Sequence, residues 1–145
     1  MSRVFWDTNL FVYLVEGHGH GHGHGHGQQV AALRRRMMER EDELLTSALT
    51  LGEVLVKPME VGAQELRQRY ESVIMAGATV VPFDVRAAPR FAEIRRDRSI
   101  RAPDAIQLAC ASMVGVDLFI TNDERLSRKR VRGIHFIQSL DNAML

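Results

Sequence analysis

The sequence has a single cysteine, Cys110, so no internal disulfide can form and a fold that depends on an oxidising compartment is excluded. Lysine is nearly as scarce: Lys57 and Lys129 stand against 17 arginines among the 19 basic residues. Guanidinium groups suit bidentate contact with phosphate or carboxylate, although a coding bias towards arginine would leave the same trace. Aromatics make up 6% of the chain and prolines number four, while 46% of residues are hydrophobic, which excludes collagenous or disordered composition. Every apolar run falls far short of the roughly 18 residues a membrane span needs. The N-terminal run reads as a strand, where a signal peptide would need a basic start and an apolar stretch, so the cytoplasm is the expected compartment. An excess of one charge is also missing, since 19 basic and 18 acidic residues leave +1, a total that favours no class of partner. The 145 residues are expected to form one domain.

What the chain does have is an alternation of short apolar runs with amphipathic stretches. Residues 3–6 read as a strand stopped by Asp7, Thr8 and Asn9, and residues 10–15 as a helix. Residues 17–27 alternate Gly and His strictly, a low-complexity tract expected to form a loop. Residues 28–41 place Val30, Leu33, Met37 and Met38 at helical spacing with arginines between them. A strand over 43–46 follows, and Ser47 stands as N-cap of a helix that Pro58 is expected to end. Next come a helix over 64–75 closed by Gly77, a β-branched strand over 78–83 and a helix over 84–97 capped by Asp84. A basic loop over 98–101 leads to a helix over 104–114, opened by Pro103 and stopped by Gly115. A strand over 117–121, a helical turn over 122–126, a strand over 134–137 and a tail over 140–145 complete the expectation. Strands alternating with helices imply an α/β protein, a three-layer sandwich with a central, mainly parallel sheet.

In open α/β sheets, sites form beyond the C-terminal ends of the strands, and here those positions are acidic. Asp7 follows the first strand at once, and Asp123 comes two residues after residue 121. Glu53 lies two turns into the helix after the second strand, and Asp104 sits in the first turn behind Pro103. Four converging carboxylates raise one another's pKa unless a countercharge is present. An all-oxygen donor set selects Mg²⁺ or Mn²⁺ over zinc, and such sets with open positions hydrolyse phosphodiesters by activating water, without a covalent nucleophile. Taken singly, Asp7, Asp104 and Asp123 would also suit helix starts through the dipole, and Glu53 a solvated face. Glu53, however, interrupts the apolar segment 49–55, and Asp104 opens the nearly uncharged segment 105–111. Carboxylates in apolar settings are seldom buried unless paired or bound to metal.

Four segments carry a resemblance: Val4-Phe5-Trp6-Asp7-Thr8-Asn9; Thr46-Ser47 with Glu53 six residues after the serine; Pro103-Asp104-Ala105; and Leu118-Phe119-Ile120-Thr121-Asn122-Asp123. In this order and spacing they resemble the PIN-domain ribonucleases, and within them the VapC-like toxins of type II toxin–antitoxin pairs. The resemblance implies a PIN-like fold, a Mg²⁺ or Mn²⁺ cofactor, an RNA substrate, a homodimer, and inhibition by an antitoxin whose tail covers the site. By position, Asp7, Glu53, Asp104 and Asp123 match the family's catalytic, metal-binding acids, with Asp7 and Asp104 the most direct ligands. Asn9 and Thr121 match the polar residues that orient them or a bound water. All four acidic positions are filled, so the resemblance implies an active member. The alternative is a non-catalytic RNA-binding or scaffold protein of the same fold, in which the acids only cap helices. A phosphoaspartate phosphatase fits poorly, because Asn9 stands where its second aspartate would be.

The Gly-His tract is a departure from that family. Its imidazoles would bind Zn²⁺, Ni²⁺ or Cu²⁺ only at a high ordering cost, and it reads as a loop or an insertion, apart from the catalytic centre. Charge by segment is more informative than the total. Residues 1–85 carry 8 basic and 11 acidic groups, whereas residues 86–135 carry 11 basic and 6 acidic. The positive segment holds Asp104 and Asp123, and its arginines, Arg98 and Arg101 foremost, are candidate contacts for an RNA backbone. Leu10, Phe11, Val12, Leu14, Met37 and Met38 are more apolar positions than one small face must bury, leaving some for a dimer or antitoxin surface.

Overall fold

The computed structural model describes residues 1–17 and 25–145. Five strands form one sheet: β1 (Arg3–Trp6), β2 (Glu43–Ser47), β3 (Thr79–Val81), β4 (Val116–Thr121) and β5 (Ile134–Ser139). All pair in parallel, in the order β3-β2-β1-β4-β5. The chain steps outward from β1 to β2 and β3, then returns to the other side of β1 for β4 and β5. The gap between β1 and β4 is therefore the topological switch point, where α/β sheets form their crevice.

Period-two alternation divides the core between the two faces of the sheet. Val4 and Trp6 of β1, Leu44 of β2, and Leu118 and Ile120 of β4 point to one face. There they meet α1 (Thr8–Glu16), α2 (His26–Arg40), α3 (Ala48–Val61) and α4 (Gln64–Gly77), whose Leu10, Phe11, Met37, Val54, Tyr70 and Ile74 are buried. Phe5, Leu45 and Phe119 point to the other face, against α5 (Ala88–Ile94) and α6 (Ala102–Val114). Phe5 and Phe119 stack on neighbouring strands at 5.1 Å between ring centroids, and Trp6 meets Phe11 at 5.2 Å. This is the three-layer α/β sandwich with a parallel sheet that the strand–helix alternation implies.

Several local expectations need correction. Pro58 does not end its helix: α3 runs on to Val61, and Pro58 is buried inside it. A proline's fixed φ is itself helical, so α3 passes through Pro58 despite the lost N–H bond and the ring's crowding of the preceding turn, and the stop comes at Gly62, whose φ of 68° supplies the left-handed cap. Asp84 caps no helix. Its carboxylate instead accepts from the Arg86 backbone N–H and pairs with the Arg86 guanidinium, and α5 begins only at Ala88 and ends at Ile94. The strand expected over 78–83 is confined to Thr79–Val81, because Pro82 has no N–H to extend the ladder. The turn expected over 122–126 is present at residues 124–125 and runs on into a 3-10 helix at Leu126–Arg128. Of the Gly-His tract, residues 18–24 lie outside the described residues, while His26 and Gly27 belong to the first turn of α2 and not to a loop.

Candidate active site

Asp7 ends β1 and caps α1, so its carboxylate is fixed from both sides of the switch point. Its Oδ1 accepts from the Thr8 N–H at 2.8 Å, its Oδ2 accepts from the Thr121 hydroxyl at 2.9 Å, and its own N–H donates to the Ile120 carbonyl on β4. Burial foremost, with the charges of Asp104 and Glu53, lifts the Asp7 carboxyl to about 6 against the downward pull of its two hydrogen bonds. Nothing basic is among its hydrogen-bond partners in the described residues.

Asp104 stands in the first turn of α6, just ahead of the buried stretch that Ala105 and residues 107–112 form. Burial raises its pKa, Arg101 at 3.7 Å lowers it, and Asp123 raises it. Thr121, at the end of β4, links the two sides: its hydroxyl donates to Asp7 and accepts from the Asp123 N–H at 3.1 Å. Asp123 in turn accepts from the backbone N–H groups of Arg125 and Leu126, which starts the turn after β4. Glu53, exposed on α3, accepts a 2.7 Å bond from the Thr8 hydroxyl. The four carboxylates thus form a row, Glu53–Asp7–Asp104–Asp123, each within electrostatic reach of the next. Asn9 lies exposed on the first turn of α1, and the hydroxyl that touches a site carboxylate from this helix is that of Thr8.

The donor chemistry fits a hard cation: carboxylates flanked by hydroxyls, with no thiol or imidazole in the row. Among the described residues, no three His, Cys, Asp or Glu side chains enclose an ion by themselves. A recess of about 210 Å³ opens beside Asp104 and Asp123 and is walled by Arg101, Arg125 and Lys129. Ile100 and Lys129 also belong to a second recess of about 210 Å³, where Arg90, Arg130 and Arg132 stand.

Behind the carboxylates lies a set of hydroxyls and one amide, of which the sequence marks Ser47 only as a helix cap and Thr8 only within a motif, and leaves Thr50 and Gln107 unremarked. Gln107 on α6 bonds Thr8, Thr50 and Ser47, which lie on α1, on α3 and at the end of β2. The signal was there in the spacing: Thr50 and Glu53, like Asp104 and Gln107, are three residues apart and so share a helix face.

A parallel α/β sandwich with an acidic row at its switch point defines the class, and the PIN domain family model matches residues 4–131. The chain belongs to the PIN domain family. Among solved structures, a chain of VapBC2 from Rickettsia felis bound to a DNA fragment from their promoter is similar, with TM-score 0.73 and 13% identity over 94% of this chain and 98% of that one. DNA-bound VapBC from Salmonella typhimurium gives TM-score 0.63 at 19% identity, over 97% and 99% of the two chains. VapBC-5 from Mycobacterium tuberculosis, a member of the VapBC family of toxin–antitoxin systems, gives 0.60 at 18%, over 95% and 99%. At such identities the likeness is one of fold. No curated protein matches the chain.

Proposed function

We propose that the protein is a Mg²⁺- or Mn²⁺-dependent endoribonuclease, the toxin of a toxin–antitoxin pair, which hydrolyses phosphodiester bonds of single-stranded or structured RNA in the cytoplasm. The observation that carries this reading is Asp7, a carboxylate raised to about 6 at the switch point of the sheet, between two other acids and with no basic hydrogen-bond partner among the described residues. Family membership and the fold shared with VapBC proteins support the toxin role and an antitoxin as partner.

In this reading Asp7 and Asp104 hold the cation, with Glu53 and Asp123 flanking them. When bound, the cation would lower the pKa of a water and offset charge on the leaving oxygen. Thr121 keeps the Asp7 carboxylate turned to the site, and Asn9 is the second orienting residue. Arg98 and Arg101 contact RNA near the cut. The backbone then continues past Lys129 into the recess of Arg90, Arg130 and Arg132, where guanidinium groups meet successive phosphates. A homodimer and the antitoxin would cover apolar side chains that stand free on α2, α3 and α4: Met38, Val56, Met59 and Met75.

The helix-capping alternative has support in Asp7 and Asp123, both of which accept backbone N–H bonds. It leaves Glu53 and Asp104 without a purpose, since neither accepts a backbone N–H bond among the described residues. The test is cleavage of RNA with added Mg²⁺ by folded wild type, Asp7→Ala and Asp104→Ala. A loss of about a hundredfold or more in both variants is expected; undiminished cleavage in both would remove the proposal.

A further inference from the structure

Asp7, Glu53 and Asp104 stand on three different elements, and each has a polar neighbour on its own element: Thr8 beside Asp7, Thr50 one turn before Glu53, and Gln107 one turn after Asp104. Gln107 is 2% exposed, and Thr50 and Ser47 are fully buried. The Gln107 Nε2 donates to Thr8 Oγ1 at 2.9 Å and to Thr50 Oγ1 at 2.8 Å, and its Oε1 accepts from Ser47 Oγ at 2.6 Å. The Thr8 and Thr50 hydroxyls are 3.1 Å apart, and Thr8 Oγ1 reaches Glu53 Oε1 at 2.7 Å.

Counting protons fixes the direction of this chain. An ionised carboxylate only accepts, so the single hydroxyl proton of Thr8 goes to Glu53. The two lone pairs of Thr8 Oγ1 then receive one amide proton of Gln107 and the hydroxyl proton of Thr50. Thr50 Oγ1 receives the second amide proton, and Ser47 gives its proton to the Gln107 carbonyl. Every donor is used, and the chain runs one way, from Ser47 through Gln107 and Thr50 to Thr8 and Glu53. A carbonyl oxygen in place of the Nε2 would compete with Glu53 for the one proton of Thr8 and leave the Ser47 proton without an acceptor. Two amide protons facing two hydroxyls are what the arrangement requires.

We propose that Gln107 is a positioning residue: it clamps α1, α3 and α6 together through Thr8 and Thr50 and reserves the Thr8 hydroxyl proton for Glu53, so that Asp7, Glu53 and Asp104 are presented together to a divalent cation. The inference rests on the metal-site reading above. Gln107→Glu keeps the shape, yet ionised or protonated it offers at most one proton where the amide offers two. Metal-stripped wild type, Gln107→Glu and Gln107→Leu, each checked by circular dichroism, are titrated with Mn²⁺ by calorimetry. Affinity at least about tenfold weaker in both variants is expected, the range for losing a group that orients a ligand. RNA cleavage should lose kcat, recover at raised Mn²⁺ and keep its KM, since a buried amide touches no substrate. Thr46→Val, which removes an equally buried hydroxyl bonded to the Trp6 carbonyl, should leave Mn²⁺ affinity unchanged. Wild-type affinity in Gln107→Glu overturns the proposal. A metal-free measurement decides it independently, by denaturant unfolding of Gln107→Glu, Glu53→Gln and the double variant. Competition for the Thr8 proton makes the double variant less destabilised than the sum of the singles, and strict additivity overturns the clamp. Absence of Mn²⁺ binding in wild type would count against the metal-site reading, with the unfolding cycle still deciding the clamp.

Discussion

The buried carboxyl of Asp7 should destabilise the folded chain at neutral pH, and the pH dependence of that effect has a definite sign. Its folded pKa, about 6, lies above the ordinary 3.8, so the folded state holds the proton more tightly than the unfolded chain. The group costs nothing below about 3.8; its penalty grows as pH rises towards 6 and is complete above it. Asp7→Asn should therefore be more stable than wild type at pH 7 by on the order of 2 kcal/mol, with the difference vanishing near pH 4, as read from denaturant midpoints across pH. A constant difference at every pH would assign the effect to packing. Asp97 has the opposite sign. Bonds from Ser99 and Lys129 lower its carboxyl to about 2, so its contribution is present above the ordinary value and fades as pH falls from 3.8 towards 2. Asp97→Asn should flatten the acid limb of the stability curve over that interval. The carboxylates of the candidate site were legible as residue types, Asp7 and Asp123 just beyond strands and Glu53 and Asp104 as charges in apolar helical segments. Gln107 was not, because an amide inside an otherwise apolar helix shows its purpose only when its partners on three other elements are in place.

At the scale of elements, two glycines separate strain from space. Gly62 ends α3 at φ 68° with nothing near the position of a Cβ, so Gly62→Ala carries only the left-handed penalty, about 1 kcal/mol. Gly133, ahead of β5, has φ 94°, and a Cβ there would lie 2.5 Å from the Ser112 carbonyl of α6. Gly133→Ala should lose roughly twice as much or more, since backbone strain and a backbone clash add; thermal unfolding of the two variants checks the order. The same contrast explains which boundaries the sequence yielded. Ser47, whose hydroxyl accepts from the Thr50 N–H three residues on, and Gly115, with its φ of 73°, act within their own few residues and sit where local rules put them. Pro58 and Asp84 did not, because their effect depends on partners: a buried site tolerates the proline ring, and Arg86 draws the carboxylate into a turn before α5.

For the whole molecule, the near-zero total charge conceals a positive side. The cations around the two neighbouring recesses belong to residues 86–135, the segment with 11 basic and 6 acidic groups, which also carries Asp104 and Asp123. RNA binding should weaken with salt, and Arg130→Glu with Arg132→Glu should lower the slope of log affinity against log salt by about 0.7 for each phosphate that is no longer neutralised. An unchanged slope would place the RNA elsewhere. The parallel sheet was legible because strands and helices alternate along the chain, and its C-terminal edge is where the acids fall. The order of the strands, which puts Asp7 beside Thr121 and Asp123, depends on pairings distant in sequence that no local pattern displays. The central claim, that this acidic row is a cation site and not a set of helix caps, is tested most directly by calorimetric titration of metal-stripped wild type and Asp104→Asn with Mn²⁺. Saturable binding in wild type, weakened at least about tenfold in Asp104→Asn, is the expected result; no saturable binding in wild type, or equal binding in both, would contradict it.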